Sequence, residues 1–200
     1  MSESGKKRIV ILFFHPLFHK SRVNAKLLGA VRDLDGIETR IMYDIYPDFH
    51  INMKKEQEIL LENDLIIWQH PFYWYSSPSL LKEWIDIVLE HGFAYGKKGT
   101  ALEGKQVMNV MTVGGSKEVY SREGARGHTI KELLIPFRET SRLCRMEYLS
   151  PFVVHGTHRL DEKGISEAAG IYRKALIALR DDSLDRKAIL TAEYINDLLN

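Results

Sequence analysis

Leu65-Ile66-Ile67-Trp68, then His70-Pro71-Phe72-Tyr73-Trp74-Tyr75-Ser76-Ser77-Pro78, then Leu80-Leu81-Lys82-Glu83-Trp84-Ile85-Asp86-Ile87-Val88-Leu89: the fold turns on how this stretch is read. The first piece is a short continuous apolar run, the pattern of a strand buried on both faces. The last carries its apolar residues at helical spacing. Between them lie Phe72, Tyr73, Trp74 and Tyr75, braced by a proline on each side. Connecting loops run over the surface in contact with water, so four aromatics together there need a reason. One reading is a wall for a flat ligand. The other is a hydrophobic loop packed under a helix or at a subunit interface.

The same alternation extends in both directions. Ile9 to Phe14 is a continuous apolar run, followed by a helical pattern from about Asn24 to Leu34. Ile37 to Ile45 alternates apolar and charged residues, as a strand near a sheet edge does. Glu56 to Glu62 reads as helix, Lys105 to Val113 as a fourth strand, and Thr129 to Cys144 as helix, with Pro136 arguing against its continuity. Tyr148 to Val154 is a fifth strand, Ser166 to Leu179 a long helix, and Asp181 to Asn200 a tail with a further short helix. There is no internal repeat and no low-complexity segment. Strands alternating with helices imply a parallel sheet with helices on both faces. The expected class is therefore α/β: a flavodoxin-like, doubly wound, five-stranded sheet in the order 2-1-3-4-5. Residues 1–180 are expected to form this domain and residues 181–200 a C-terminal helical extension.

In such a sheet, ligands bind outside the carboxyl ends of the strands, at the switch point between strands 1 and 3. Three unusual loops begin at such ends. His15 to Asn24 leads into a helix start, where free N–H groups and the helix dipole favour an anion. Ser21 and Asn24 are able to cap that helix or to bind phosphate oxygens, and Lys20 and Arg22 add charge. His70 to Pro78 supplies aromatic walls and backbone donors. Thr112-Val113-Gly114-Gly115-Ser116 lets backbone approach a ligand closely, because its two glycines have no side chain. The neutral alternatives are an ordinary helix cap and a plain turn.

Other chemistries find less support. With 28 basic and 27 acidic residues the net charge is only +1, which argues against a broad nucleic-acid surface. The single cysteine, Cys144, rules out a disulfide within the chain and reads as a small core residue. No apolar run reaches the roughly 18–20 residues of a membrane span. Met1 to Arg8 followed by Ile9 to Phe14 and His15-Pro16 reads as a first strand rather than a signal peptide, so a cytoplasmic protein is expected. His15 with His19, and His155 with His158, lack the additional ligands a zinc site needs, so no metal is expected. There is no G-x-x-x-x-G-K-[ST], no G-x-G-x-x-G and no G-x-S-x-G, which removes the P-loop, the dinucleotide fingerprint and the hydrolase elbow.

His15-Pro16 with Ser21-Arg22-Val23-Asn24 resembles the NAD(P)H:quinone oxidoreductase family. So do Gln69 to Ser76, Leu80 to Asp86 and Gly92-Phe93-Ala94-Tyr95-Gly96. Tyr46-Pro47-Asp48-Phe49, Gly99 to Lys105 and Ser150-Pro151-Phe152 are similar to its branch of glutathione-gated potassium-efflux ancillary proteins. The resemblance covers roughly residues 8 to 180. It implies a homodimeric flavoprotein that passes hydride from NADH or NADPH to a flavin and then to a quinone, in ping-pong order. FMN is expected rather than FAD. By matching position, the resemblance implies phosphate contacts at His15, Ser21, Arg22, Val23 and Asn24. It implies ring contacts at Phe72, Tyr73, Trp74, Tyr75, Thr112, Val113, Gly114 and Gly115, and a substrate-side tyrosine at Tyr95. Tyr120 matches a tyrosine that stabilises the reduced ring, and Arg126 stands where the family has a histidine. Val113 replaces a threonine. The branch also implies a potassium-efflux antiporter as partner, with a peripheral position at the inner face of the membrane. A one-electron carrier is a further alternative, disfavoured because such carriers tend to be acidic.

Overall fold

The computed structural model describes residues 5–199. Met1 to Ser4, ahead of the first strand, and Asn200 of the expected extension lie outside the described residues.

The strands are β1 (Ile9–Phe13), β2 (Ile37–Ile41), β3 (Leu65–Pro71), β4 (Gln106–Thr112), β5 (Glu147–Tyr148) and β6 (Phe152–Val154). The helices are α1 (Arg22–Val31), α2 (Met42–Ile45), α3 (Met53–Glu62), α4 (Ser79–Val88), α5 (Ile130–Leu133), α6 (Ile135–Leu143), α7 (Glu162–Arg180) and α8 (Arg186–Thr191). All strand pairs are parallel, in the order β2-β1-β3-β4-β5, with β6 also on β4. This is the expected order, with β5 and β6 sharing the fifth position. Alternate residues of β1 and β3 enter two cores. Val10, Leu12, Ile66 and Trp68 face α3, α4 and α6, whereas Ile9, Ile11, Leu65 and Ile67 face α1 and α7. Every residue of β1 and β3 is buried, which is why Ile9–Phe13 and Leu65–Trp68 read as unbroken apolar runs, while Gln69 and His70 of β3 are buried polar groups.

Helix ends shift by a few residues, α3 starting at Met53 and α7 at Glu162, and four larger departures from the sequence reading each have a local reason. β2 stops at Ile41, not Ile45, because its ladder with β1 ends at Phe13 opposite Ile41. The next β1-side amide, that of Phe14, bonds Gln69 of β3 instead, and Met42–Ile45 coils into α2. β3 runs on to Pro71, because β4 pairs with it as far as Thr112. Pro71 is tolerated at the strand's last position. The helix expected over Thr129–Cys144 is two helices, broken at Leu134, with Pro136 in the first turn of α6 where no amide donor is needed. The fifth strand is interrupted between Tyr148 and Phe152. There Pro151 has no amide to donate, and the Ser150 amide turns away to Ile189.

Cys144 is buried, and its burial pushes the thiol up to about 11. Among the described residues no helix is long and apolar enough to cross a membrane.

One polar knot sits inside the core between the sheet edge and α4. Glu56 of α3 is fully buried. Its Oε1 accepts from Arg40 Nη2 at 2.5 Å and from the Tyr46 hydroxyl at 2.7 Å, and its Oε2 accepts from Trp84 Nε1 at 3.0 Å. The knot ties β2, the loop after it, α3 and α4 together. Removing one partner of a buried pair leaves the other charge uncompensated. Arg40 keeps a second carboxylate, Glu38, at 3.5 Å, so Glu56→Ala should lower the unfolding free energy by about 3 kcal/mol, at the low end for a broken buried pair, read from urea titrations. A loss under about 1 kcal/mol would mean that Arg40 finds water instead.

Candidate functional site

A cleft of about 600 Å³ opens at the carboxyl ends of β1, β3 and β4. Its first side is the segment from His15 into α1. His15 is buried, and its Nδ1 accepts from the Leu17 amide at 3.1 Å, so the ring proton belongs on Nε2. Burial lowers its pKa, and the ring is a neutral donor near neutral pH. Ser21 precedes α1 but does not cap it with its side chain. Its hydroxyl accepts from Asn24 Nδ2 at 3.0 Å instead. The first-turn amides of α1 are thus left without a side-chain cap beside the cleft, where the helix dipole also favours negative charge. Lys20 and Arg22 line this end, Arg22 holding Glu162 at 2.7 Å on the surface.

Asn24 is buried under this corner. Its Nδ2 also donates to Thr112 Oγ1 at 3.1 Å, and its Oδ1 accepts from Gln69 Nε2 at 3.4 Å. Gln69 in turn accepts from the Tyr172 hydroxyl at 2.9 Å. Both donors of the Asn24 side chain are engaged within the protein, so this side chain braces the corner from below.

The second side is the aromatic loop. The Phe72 amide donates to the Thr112 carbonyl at 2.9 Å, extending the β3–β4 ladder. Trp74 and Tyr75 then adopt left-handed backbone, with φ of 52° and 61°, in a turn closed by the Ser76 amide on the Tyr73 carbonyl at 2.9 Å. Bulky residues rarely hold that conformation, which costs on the order of 1–3 kcal/mol each. The result is an indole at Trp74 that is 93% exposed, with Tyr73 and Tyr75 beside it. The loop stands on His70, which is fully buried. Asn109 Nδ2 lies 2.9 Å from its Nε2, and the Pro71 carbonyl 3.0 Å from its Nδ1. The Asn109 carbonyl accepts from the Tyr148 hydroxyl at 2.6 Å, which points the amide's N–H₂ at His70. His70 is thereby fixed as the neutral Nδ1–H tautomer.

The third side is Thr112 to Tyr120. A Cβ on Gly115 would lie 2.8 Å from the Tyr120 ring, and one on Gly114 2.9 Å from the His158 ring. A side chain at either position would have to push an aromatic ring aside. Tyr120 packs edge-on against Phe72 at 5.8 Å, joining loops two and three. Burial first, and then the neighbouring Tyr75, raise its pKa, so its hydroxyl stays protonated at neutral pH.

Of the expected residues, His15, Ser21, Arg22, Val23, Phe72, Tyr73, Trp74, Tyr75, Thr112, Gly114, Gly115 and Tyr120 line the cleft together. Four do not. Asn24 and Val113 are buried behind it. Arg126 is exposed and meets the site through Tyr75, its guanidinium 5.6 Å from that ring. Tyr95 packs on His91 at 5.4 Å, away from the lining of its own chain's cleft. Thr157 and His158 line the cleft without having been singled out for it. They follow the carboxyl end of β6, and the same strand-end rule applied to the fifth strand would have found them.

The flavodoxin-like fold family matches residues 7–176. An ancillary protein of the glutathione-regulated potassium-efflux system from Enterobacter sp. (strain 638) is 40% identical over 169 residues, 84% of this chain and 95% of its own. A solved chain described as a thermophilic tryptophan halogenase from Streptomycin violaceusniger is 41% identical, with a TM-score of 0.80 over 83% of this chain and 96% of its own. General stress protein 14 of Treponema denticola, in complex with FMN, is 34% identical, with a TM-score of 0.82 over 86% and 99%. An NADPH-quinone reductase from P. pentosaceus is 30% identical, with a TM-score of 0.74 over 84% and 96%. The names differ while the fold is common, so chemistry has to be argued from the cleft.

The support beneath the aromatic loop makes stability pH-dependent. Burial lowers the His70 pKa to about 4, against about 6.5 in an unfolded chain. Between those values the unfolded chain takes up a proton that the folded chain refuses, so this contribution is intact above about pH 6.5 and lost as pH falls towards 4. Urea titrations at about pH 7 and about pH 4.5 should show a decline roughly 2 kcal/mol smaller in His70→Gln than in the parent chain. Equal declines would mean that His70 is protonated in the fold.

Proposed function

This chain belongs to the flavodoxin-like fold family, and from that membership and the cleft we propose that it is an FMN-dependent NAD(P)H oxidoreductase acting on quinones or related electrophiles. The observation that carries the reading is the cleft's two-ended character. One end offers uncapped helix amides, the Ser21 hydroxyl, Lys20 and Arg22, a set that suits a phosphate monoester. The other offers a glycine backbone floor walled by Tyr120 and Phe72, which suits a flat heterocycle. FMN has both parts in one molecule, and a structural relative of 34% identity holds it. FMN is preferred to FAD on the same grounds.

In this reading His15, Ser21, Arg22 and the amides of Val23 and Asn24 hold the phosphate. Phe72, Tyr73, Thr112, Val113, Gly114 and Gly115 surround the ring, Val113 through its backbone. When bound, FMN would supply two-electron chemistry, taking hydride from NADH or NADPH and passing it to a quinone in ping-pong order. The chain's own residues shape the approach. Trp74 and Tyr75, held outward by their left-handed backbone, offer flat faces at the mouth on which a planar substrate stacks. The protonated Tyr120 hydroxyl is a donor towards negative charge that develops on the ring, and Arg126 adds positive charge at the rim. Tyr95 would border the substrate pocket from a second copy in a homodimer. Residues 1–180 would form the flavin-binding domain, working in the cytoplasm.

Titrating the cofactor-free protein with FMN tests the reading. Saturable quenching of flavin fluorescence at one site per chain is expected, followed by bleaching of the bound flavin on addition of NADH or NADPH. Gly115→Ala, whose Cβ would meet Tyr120, should weaken FMN binding roughly tenfold, about 1.4 kcal/mol. A colourless protein that takes up neither FMN nor FAD would overturn the assignment. The 40% identity to an ancillary protein favours a second reading, a regulatory subunit docked on a potassium-efflux antiporter at the inner membrane face. Retention of the cognate antiporter in a pull-down at physiological salt is its test, and no retention removes it.

A further inference from the structure

Residues 181–199 follow α7 and lie beyond the segment matched by the family. They wrap the outer edge of the sheet at β6. β6 pairs with β4 on one side only, so its other side would present unpaired backbone. Asn196 supplies what a neighbouring strand would: its Oδ1 accepts from the Val153 amide at 2.9 Å, and its Nδ2 donates to the Val153 carbonyl at 3.0 Å. The Ile195 amide donates to the Pro151 carbonyl at 3.0 Å. Tyr194 enters the core on one face of the sheet and Ile195 the core on the other, so the tail straddles the edge.

This edge leads directly into the cleft. Past β6, the Gly156 amide donates to the Gly115 carbonyl at 2.9 Å, and the Thr157 amide to the Val113 carbonyl at 3.1 Å. Between them and the strand sits His155. Its ring packs edge-on against Tyr194 at 5.3 Å and tilted against Tyr120 at 6.2 Å. Neither buried ring nitrogen has a well-formed hydrogen bond, while the Gly115 backbone and the charges of Lys117, Glu118 and Asp197 act on the ring from nearby. The tail also grips loop three from outside: Lys117 lies 5.0 Å from the Tyr194 ring centroid and pairs with Asp197 at 3.3 Å.

We propose that residues 181–199 are a strap that positions the Gly114–Gly115 floor and the Tyr120 wall, with Asn196 and Tyr194 as positioning residues, and so sets the affinity for the ring of the cofactor. The proposal rests on the flavin reading above. At the cleft end, the strap's contacts run to β6, to His155 and to Lys117 of loop three. The phosphate end is built separately, from His15, Ser21 and the start of α1. Loosening the strap therefore weakens the ring end and spares the phosphate end.

Riboflavin carries the ring without the phosphate, so comparing it with FMN separates the two ends. In the full-length, cofactor-free chain, Asn196→Ala and Tyr194→Ala should each weaken FMN and riboflavin by the same factor, roughly tenfold. Residual fluorescence of the saturated flavin should rise as Tyr120 loosens. Lys117→Ala, a surface change that keeps the core intact, should act in the same direction by roughly threefold. Tyr194→Phe keeps the ring and should match the parent chain. So should Arg186→Ala, which cuts a tail contact to Glu147 at the far end of the sheet. Parent-like flavin binding in the Asn196, Tyr194 and Lys117 variants would overturn the strap, as would a change in the FMN-to-riboflavin ratio. Failure of the parent chain itself to bind FMN would instead defeat the flavin reading, and the strap with it.

Discussion

The carboxamide of Asn24 is the contact on which the cleft depends. It sits where the chain leaves β1 for one side of the sheet while β3 continues the other way, so it fills the gap that the switch point creates. Its two donors reach Ser21 and Thr112, and its acceptor takes Gln69, itself bonded to Tyr172. Four elements are joined by one side chain: the start of α1, β3, β4 and α7. A buried amide left without partners costs about 1–3 kcal/mol, so this network is held in one arrangement. Its less obvious effect is on Ser21. With the hydroxyl drawn to Asn24, the helix start has no side-chain cap, and its amides stay available to an anion.

The aromatic loop has the opposite character. It stores backbone strain at Trp74 and Tyr75 and exposes apolar rings to water, both unfavourable on their own. It persists because the peptide at its start, Pro71–Phe72, is pinned through both its amide and its carbonyl. The Phe72 amide continues the ladder to Thr112, and the neutral His70 fixes the Pro71 carbonyl from beneath. Tyr120 then joins the loop to the glycine floor. A wall held this way keeps its rings in place before any ligand arrives, which lowers the ordering cost of binding a flat molecule.

How far the fold could be read in advance follows from where its determinants lie. Ile9–Phe14 and Leu65–Trp68 announced buried parallel strands because burial on both faces leaves no polar positions. The strand order followed, and with it the convergence of the three loops. What stayed hidden depended on partners distant in sequence. β2 ends at Ile41 because β1 runs out of ladder, a fact about β1 and not about Met42–Ile45. Asn24 read as a ligand contact because nothing local shows that Thr112 lies 3.1 Å away. Thr157 and His158 are legible by the strand-end rule, because they follow the carboxyl end of the fifth strand. The Asn196 clamp on Val153 has no local signal at all: an asparagine near a chain end is ordinarily just polar.

These differences divide the cleft into two parts with different dependences. On the proposed flavin reading, the phosphate end is made of contiguous chain, His15 to Asn24, braced by residues of the central strands. Its geometry is set by the sheet itself. The ring end is assembled from loops two and three and the segment after β6, and that last segment is steadied by the tail. Arg126, exposed on the Tyr75 ring, and His155, packed between Tyr120 and Tyr194, both meet this end through another aromatic rather than directly. Charge and shape at the ring end can therefore vary with residues that touch no ligand, while the anion site beneath α1 stays constant. On that reading, such a fold would hold the phosphate in one fixed way and leave the ring face open to adjustment from the sheet edge.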